Sequence, residues 1–171
     1  MIAHLTADAA EARLPELAAL LHACVLDGAS VGFILPFGMA QAQAFWTEKA
    51  LPPLRAGSRV LLAAEADGRI VGSAQLSWDT PANQPHRAEV SKLLVRPDQR
   101  RRGIARALMT AIEAEARARR RTLLTLDTRT GDAAEPLYLS LGFAVAGVIP
   151  GYCLDPDGVR IDGTTIMYRH L

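Results

Sequence analysis

The sequence predicts a mixed α/β fold in which a central, mostly antiparallel sheet is flanked by about four helices. One observation is a hairpin signal. Asp67-Gly68 separates two apolar runs, Arg59 to Glu65 and Arg69 to Trp78, and a two-residue turn of this type joins antiparallel neighbours. A second is the succession of strand Arg87 to Val95, helix Ile104 to about Arg119, and strand Thr122 to Thr128. A crossover that long makes its two strands parallel and right-handed, so the sheet is mixed. The third is helical periodicity early in the chain, with Leu14, Leu17, Leu20, Leu21 and Val25 on one face.

In chain order, Ile2 to Leu5 reads as a short first strand. Thr6 or Asp8 then caps a helix that Gly28 ends. The small and apolar stretch from Gly28 to Phe37 has the composition of a loop that closes over something. A second helix from about Met39 to Leu51, carrying Phe45 and Trp46, is expected to stop before Pro52-Pro53, because proline lacks a backbone donor and clashes with the preceding turn. After the antiparallel pair and the polar loop Asp79 to Pro85, the third strand leads into a basic loop and the third helix. That helix ends in Arg119-Arg120-Arg121, cations suited to the negative end of its dipole. Asp132 with Glu135 reads as a capping box for a fourth helix bearing Leu137, Tyr138 and Leu141, which Gly142 stops. Phe143 to Ile149 and Thr164 to Arg169 are the last strands, joined through Pro150-Gly151-Tyr152-Cys153 and the turn Asp155 to Gly158.

Length and composition bound the function. At 171 residues, with no linker, repeat or low-complexity segment, residues 1–171 read as a single domain. Half the residues are hydrophobic, yet no uninterrupted apolar run reaches the roughly 20 residues a bilayer needs, and the N-terminus lacks a secretory pattern. A soluble, cytoplasmic protein without a membrane partner is expected. A net charge of +1 and the lack of aromatics interleaved with the arginines argue against nucleic acid. Cys24 and Cys153 have no metal-ligand spacing, so neither a metal site nor a disulfide framework is expected. Oligomeric state is not readable.

The basic loop carries the first chemistry. Pro97-Asp98 stops a strand and Gly103 opens a helix, whose first four N–H groups have no internal partner and whose dipole is positive there. Arg96, Arg100, Arg101 and Arg102 add side-chain charge around that point, and arginine suits bidentate phosphate contacts. A diphosphate ligand follows. The loop is no P-loop, since no Gly-Lys-Ser/Thr is present, and no Gly-x-Gly-x-x-Gly occurs either.

Arg100-Arg101-Arg102-Gly103-Ile104-Ala105 resembles the acetyl-coenzyme A loop of the GNAT acyltransferase superfamily, Arg/Gln-x-x-Gly-x-Gly/Ala. The order of elements matches along nearly the whole chain, and Leu137-Tyr138 followed by Gly142-Phe143 matches a second recurring pattern. A narrower likeness, carried by Gly28 to Phe33, Arg87 to Val90, Leu126 to Thr128 and Pro150 to Cys153 with Pro156 to Gly158, is to the tabtoxin-resistance acetyltransferase branch. Where the wider superfamily often has an asparagine before the tyrosine-bearing helix, this chain has Gly131-Asp132. The resemblance implies a sheet splayed at the strand before the loop, with acetyl-CoA as co-substrate held by Leu94 to Arg96 and Arg100 to Ala105 (Arg100, Arg101, Arg102, Gly103, Ile104, Ala105), the oxyanion donor being an N–H near Leu94 or Val95. It also implies a small-molecule amine as acceptor, of which a β-lactam amino-acid toxin is one example, in a pocket made by Ser30, Val31, Phe33 and Tyr152.

Acetyl transfer to an amine needs a neutral nucleophile, a stabilised oxyanion and a proton for the leaving thiolate. An amine of pKa about 10.4 is neutral in less than roughly one part in a thousand at pH 7, a penalty above about 4 kcal/mol, so a carboxylate base is useful. The resemblance places Glu89 and Asp127 on the acceptor side, and either fits that task, directly or through water. Each also reads as an ordinary ion-pair or loop-anchoring carboxylate. Tyr138 matches the position of the general acid at the coenzyme sulfur, and its spacing equally suits a core aromatic. A coenzyme-binding sensor without turnover is the alternative function.

Overall fold

The computed structural model describes residues 1–171. Its strands are β1 (Ile2–Leu5), β2 (Arg59–Ala66), β3 (Arg69–Ser77), β4 (Arg87–Val95), β5 (Leu123–Arg129), β6 (Ala144–Leu154) and β7 (Ile161–His170). They form one sheet in the order β1-β2-β3-β4-β5-β7-β6, antiparallel everywhere except between β4 and β5. Asp67-Gly68 makes the β2–β3 turn, as expected.

Helices cover both faces. On one side lie α1 (Ala7–Ala12), α2 (Leu14–Leu26), α3 (Met39–Phe45) and α4 (Leu51–Arg55). Their core joins Leu17, Leu21 and Trp46 to Leu61, Ala63 and Leu94 of the sheet. The Trp46 indole, fully buried, donates its Nε1–H to the Leu17 carbonyl at 2.8 Å, so its polar atom is satisfied. On the other side α5 (Ile104–Ala118) and α6 (Ala134–Ser140) complete the layer. Leu108, Ile112 and Ala116, spaced one turn apart on α5, pack into the core with Val60, Leu76 and Leu124. Burying a leucine or isoleucine contributes about 1.5–3 kcal/mol, so this stripe fixes how α5 lies on the sheet.

Four local expectations are corrected. The first helix is broken at Arg13, because Pro15 cannot continue a helix but is tolerated in the first turn of a new one; the Arg13 guanidinium then bridges Glu16 and Glu65. The second helix does not stop at Pro52-Pro53. It widens into a π turn over Trp46–Ala50 and resumes as α4, with both prolines in positions that need no N–H donor. The Lys49 carbonyl, four residues before Pro53, is taken instead by Arg59 Nη1 at 2.9 Å. The cap of α6 is shifted by one residue: Asp132 accepts from the N–H of Ala133 at 2.6 Å, and Glu135 accepts from that of Gly131 at 3.0 Å. Finally, Pro150 to Cys153 is not a loop. β6 runs through to Leu154 with a register irregularity between Ile149 and Cys153, which an edge strand accommodates.

Candidate active site

β4 and β5 are in register at only three pairs, Arg87–Leu123, Ala88–Leu124 and Glu89–Thr125. Beyond them β4 continues along β3 as far as Val95, while β5 continues along β7 as far as Arg129. The strands part, and a cavity of about 450 Å³ lies between them. Its walls are β4 from Val90, the end of β5, the first turn of α5, Leu137 and Tyr138 of α6, and the Gly28–Val31 loop.

A β-bulge shapes the β4 wall. Ser73 faces Leu94 and Gln75 faces Ser91, so Lys92 and Leu93 together oppose Ala74. Lys92 takes a left-handed conformation at φ 50°, uncommon for a side chain with a Cβ. Past the bulge the ladder is regular, and Arg96 N–H donates to the Val71 carbonyl at 2.9 Å. In an antiparallel ladder every second residue exchanges bonds with the partner strand, so Leu94 faces β3 and the Val95 N–H points into the fork. Of the two N–H groups the sequence leaves open, that of Val95 is the one directed into the fork. Its carbonyl is contacted by Cys24 Sγ and by Arg100 Nε, each at 3.4 Å.

The basic loop turns through Pro97–Gln99 and reaches α5 with Gly103 at φ 78°, a left-handed position where a Cβ would meet nothing within 4 Å. The first intrahelical bond there is from Ala107 N–H to the Gly103 carbonyl, which leaves the N–H groups of Ile104, Ala105 and Arg106 at the cavity. The arginines divide. Arg100 and Arg101 line the cavity, with Arg100 also paired to Asp27 at 2.5 Å. Arg96 and Arg102 lie outside the wall, Arg96 held by Asp98 at 3.1 Å and Arg102 exposed. Arg106, which the sequence motif does not single out, lines the cavity and reaches Ser140 of α6 at 2.7 Å, tying the two helices together.

Tyr138 and Asp127 share the cavity wall. Tyr138 is only 6% exposed and packs against Phe143 at 5.8 Å, as a core aromatic does, and it is also one of the residues that line the cavity. Burial pushes the phenol well above its ordinary pKa, and the carboxylates Asp132 and Asp127 add to the effect, so the hydroxyl stays protonated. Asp127 accepts from Thr164 Oγ1 at 3.2 Å, which orients it. Glu89, in the last β4–β5 pair, sits on the same sheet face one residue before the wall begins, outside it and 3.6 Å from Arg87. The structure thus separates the two carboxylates.

At the far end Ser30 and Val31 line the cavity, whereas Phe33 and Tyr152 do not. Phe33 packs inward on Phe37 and Phe45, with ring centroids at 4.6 and 5.6 Å. Tyr152 is 54% exposed, while its neighbour Cys153 is the one that turns in, 3.8 Å from Ser30 Oγ. The early and late segments still meet, through Leu35 N–H donating to the Pro156 carbonyl at 2.8 Å. Lys92, passed over as one lysine in an apolar strand, lines the same end. Both cysteines are free. No cluster of three or more His, Cys, Asp or Glu is placed to hold a metal, and no helix is long and apolar enough to cross a membrane.

Residues 33–143 match the model of the acetyltransferase (GNAT) family. The chain is 33% identical over 114 residues to an uncharacterised N-acetyltransferase from the hisH-hisA intergenic region of Azospirillum brasilense, a match spanning 66% of either protein. It is 28% identical over 144 residues to an L-methionine sulfoximine/L-methionine sulfone acetyltransferase of Pseudomonas aeruginosa, covering 84% of this chain and 81% of that one. Among solved structures, a phosphinothricin acetyltransferase from Sinorhizobium meliloti in complex with AcCoA superposes with a TM-score of 0.80 at 20% identity, over 100% of this chain and 88% of that chain. At that identity the likeness is one of fold.

Proposed function

The chain belongs to the acetyltransferase (GNAT) family, and on that premise we propose that it transfers an acetyl group from acetyl-CoA to the amine of a small, amino-acid-like molecule. One observation carries the reading: the lining of the β4–β5 fork includes a helix N-terminus with arginines, a protonated phenol and a carboxylate. Acetyl-CoA fits this chain's own features. Its pyrophosphate would lie on the Ile104 to Arg106 N–H groups with Arg101 beside it, and its pantetheine amides would pair with the open edge of β4.

The chemistry runs in a ternary complex. The amine nitrogen attacks the thioester carbonyl carbon, and the oxyanion that forms accepts from the Val95 N–H. Asp127 takes the proton the amine sheds, directly or through water, and Tyr138 protonates sulfur as the carbon–sulfur bond breaks. Asp127 is preferred to Glu89 because it lines the cavity with Tyr138, while Glu89 lies outside beside Arg87. The acceptor class is supported by the Pseudomonas relative, whose named substrates are amino-acid analogues; a β-lactam amino acid of the tabtoxin type belongs to the same set. The test is an acceptor panel followed by release of free coenzyme thiol, with methionine sulfone, methionine sulfoximine, phosphinothricin, a β-lactam amino acid and polyamines. Acceptor-dependent release by an amino-acid analogue is expected. Binding of acetyl-CoA with no such release from any amine would make the protein a coenzyme sensor instead.

A further inference from the structure

The left-handed bulge changes where Lys92 points. In an unbroken strand Ser91 and Lys92 would face opposite sides of the sheet. The bulge puts them on one side, since Ser91 lies across from Gln75 while the Lys92 ammonium sits 5.9 Å from the Phe33 ring and 5.2 Å from the Phe45 ring, both part of the core under α2 and α3. The Nζ donates to the Val31 carbonyl at 2.9 Å, its single hydrogen bond, and no carboxylate forms an ion pair with it. One of its three N–H donors meets a carbonyl, with two ring faces nearby. Burial disfavours the charged form and depresses the lysine pKa, the more remote Asp127 opposing this and Arg59 adding to it. A half-buried ammonium with one hydrogen bond and no counter-ion has donor capacity that an arriving anion can take up. It also lines the cavity that Asp127 lines.

We propose that Lys92 recognises a carboxylate on the acceptor, holding the molecule so that its neighbouring amine is presented to Asp127. This rests on the acetyltransferase reading above and narrows the acceptor to compounds that carry an acid beside the amine. Two aromatic rings beside the ammonium reduce its contact with water, which strengthens a charge-assisted bond to an arriving carboxylate. Polyamines, which bring a further positive charge toward Lys92, are repelled, and simple amines lack the anion it would pair with.

The proposal is tested with pairs that differ only in charge: L-methionine sulfone and L-methionine sulfoximine, each against its carboxamide, with KM and kcat read by thiol release. Wild type is expected to use the acids with a KM at least 10-fold lower than the amides. Lys92→Met is expected to raise KM for the acids roughly 30-fold, equivalent to about 2 kcal/mol, and to raise that for the amides by no more than about threefold. Lys92→Arg, which keeps the charge, restores part of the loss. A lysine that only holds the Val31 loop would weaken acids and amides alike, and that result overturns the proposal. So does wild-type indifference between acid and amide, a comparison that needs no variant to fold. If wild type turns over amides and simple amines but no acid, the carboxylate site is wrong while the acetyltransferase reading stands; if it turns over nothing, that reading fails first.

Discussion

Replacing Gly103 with valine separates two contributions that this residue makes. The residue holds φ 78°, and an ordinary L-residue in the left-handed region costs roughly 1–2 kcal/mol. No heavy atom lies within 4 Å of where its Cβ would stand, so no clash adds to that strain. Against a typical stability of about 5–15 kcal/mol the variant stays folded, with Tm lower by about 2–8 °C. Ligand binding is affected differently, because the new side chain stands where the proposed pyrophosphate meets the α5 N-terminus. Losing one charge-assisted hydrogen bond removes about 1.5–3 kcal/mol, so the acetyl-CoA Kd should rise about 10- to 100-fold. Gly103→Ala carries the same backbone strain with less bulk and is the control: a similar loss in Tm, an intermediate Kd. Calorimetric titration and a thermal melt give both numbers on one sample. If both variants lose stability and bind acetyl-CoA like wild type, the phosphates lie elsewhere and the assignment of this turn is wrong.

Tyr138→Phe should lower kcat by about 10²- to 10⁴-fold with the coenzyme Kd retained, since the ring's packing survives and only the proton donor is removed; an unchanged kcat would assign the thiolate's proton to water. Asp127→Asn should depress kcat/KM most near neutral pH and recover as rising pH deprotonates the amine, whereas Glu89→Gln should stay within about threefold of wild type; the reverse ranking would move the base to the mouth of the fork. The Cys24 thiol is pushed up to about 11 by burial, from an ordinary 9.0. A group whose folded pKa is raised contributes stability that is present below the unfolded value and lost as pH climbs through the folded one, so stability should fall between about pH 9 and 11, and Cys24→Ala should flatten that part of the profile measured by denaturant titration.

Elements whose periodicity and punctuation agreed were readable from residues alone. The Asp67-Gly68 hairpin, the α5 stripe of Leu108 and Ile112, and Gly103 at a helix start all rest on interactions within a few residues. The errors arose where distant groups decide. Pro52-Pro53 would end an isolated helix, but Arg59, ten residues past Lys49, takes up the carbonyl the prolines leave free. The division of the arginines into those at the cavity and those outside it depends on how the loop is folded back by Asp27 and Asp98. Tyr152 and Cys153 exchange places where Pro150 to Cys153, expected as a loop, belongs to β6, with Cys153 turned in toward Ser30. The Lys92 bulge had no local signal beyond one cation in an apolar run, because a bulge is a mismatch between two strands and belongs to neither sequence alone.

The three rungs between β4 and β5 have a mechanical meaning. β1 to β4 are joined by long antiparallel ladders broken only by bulges, as are β5, β7 and β6, so the three-rung parallel seam is the least bonded part of the sheet. Two rigid plates on a short hinge amplify motion with distance from it. Small flexing at Ala88 and Leu124 would become a larger change in separation between Val95 and Arg129, which line the cavity from opposite sides. A molecule seated in the gap acts as a wedge, and the spacing of the reacting groups is then set by the thickness of what is bound as much as by the protein.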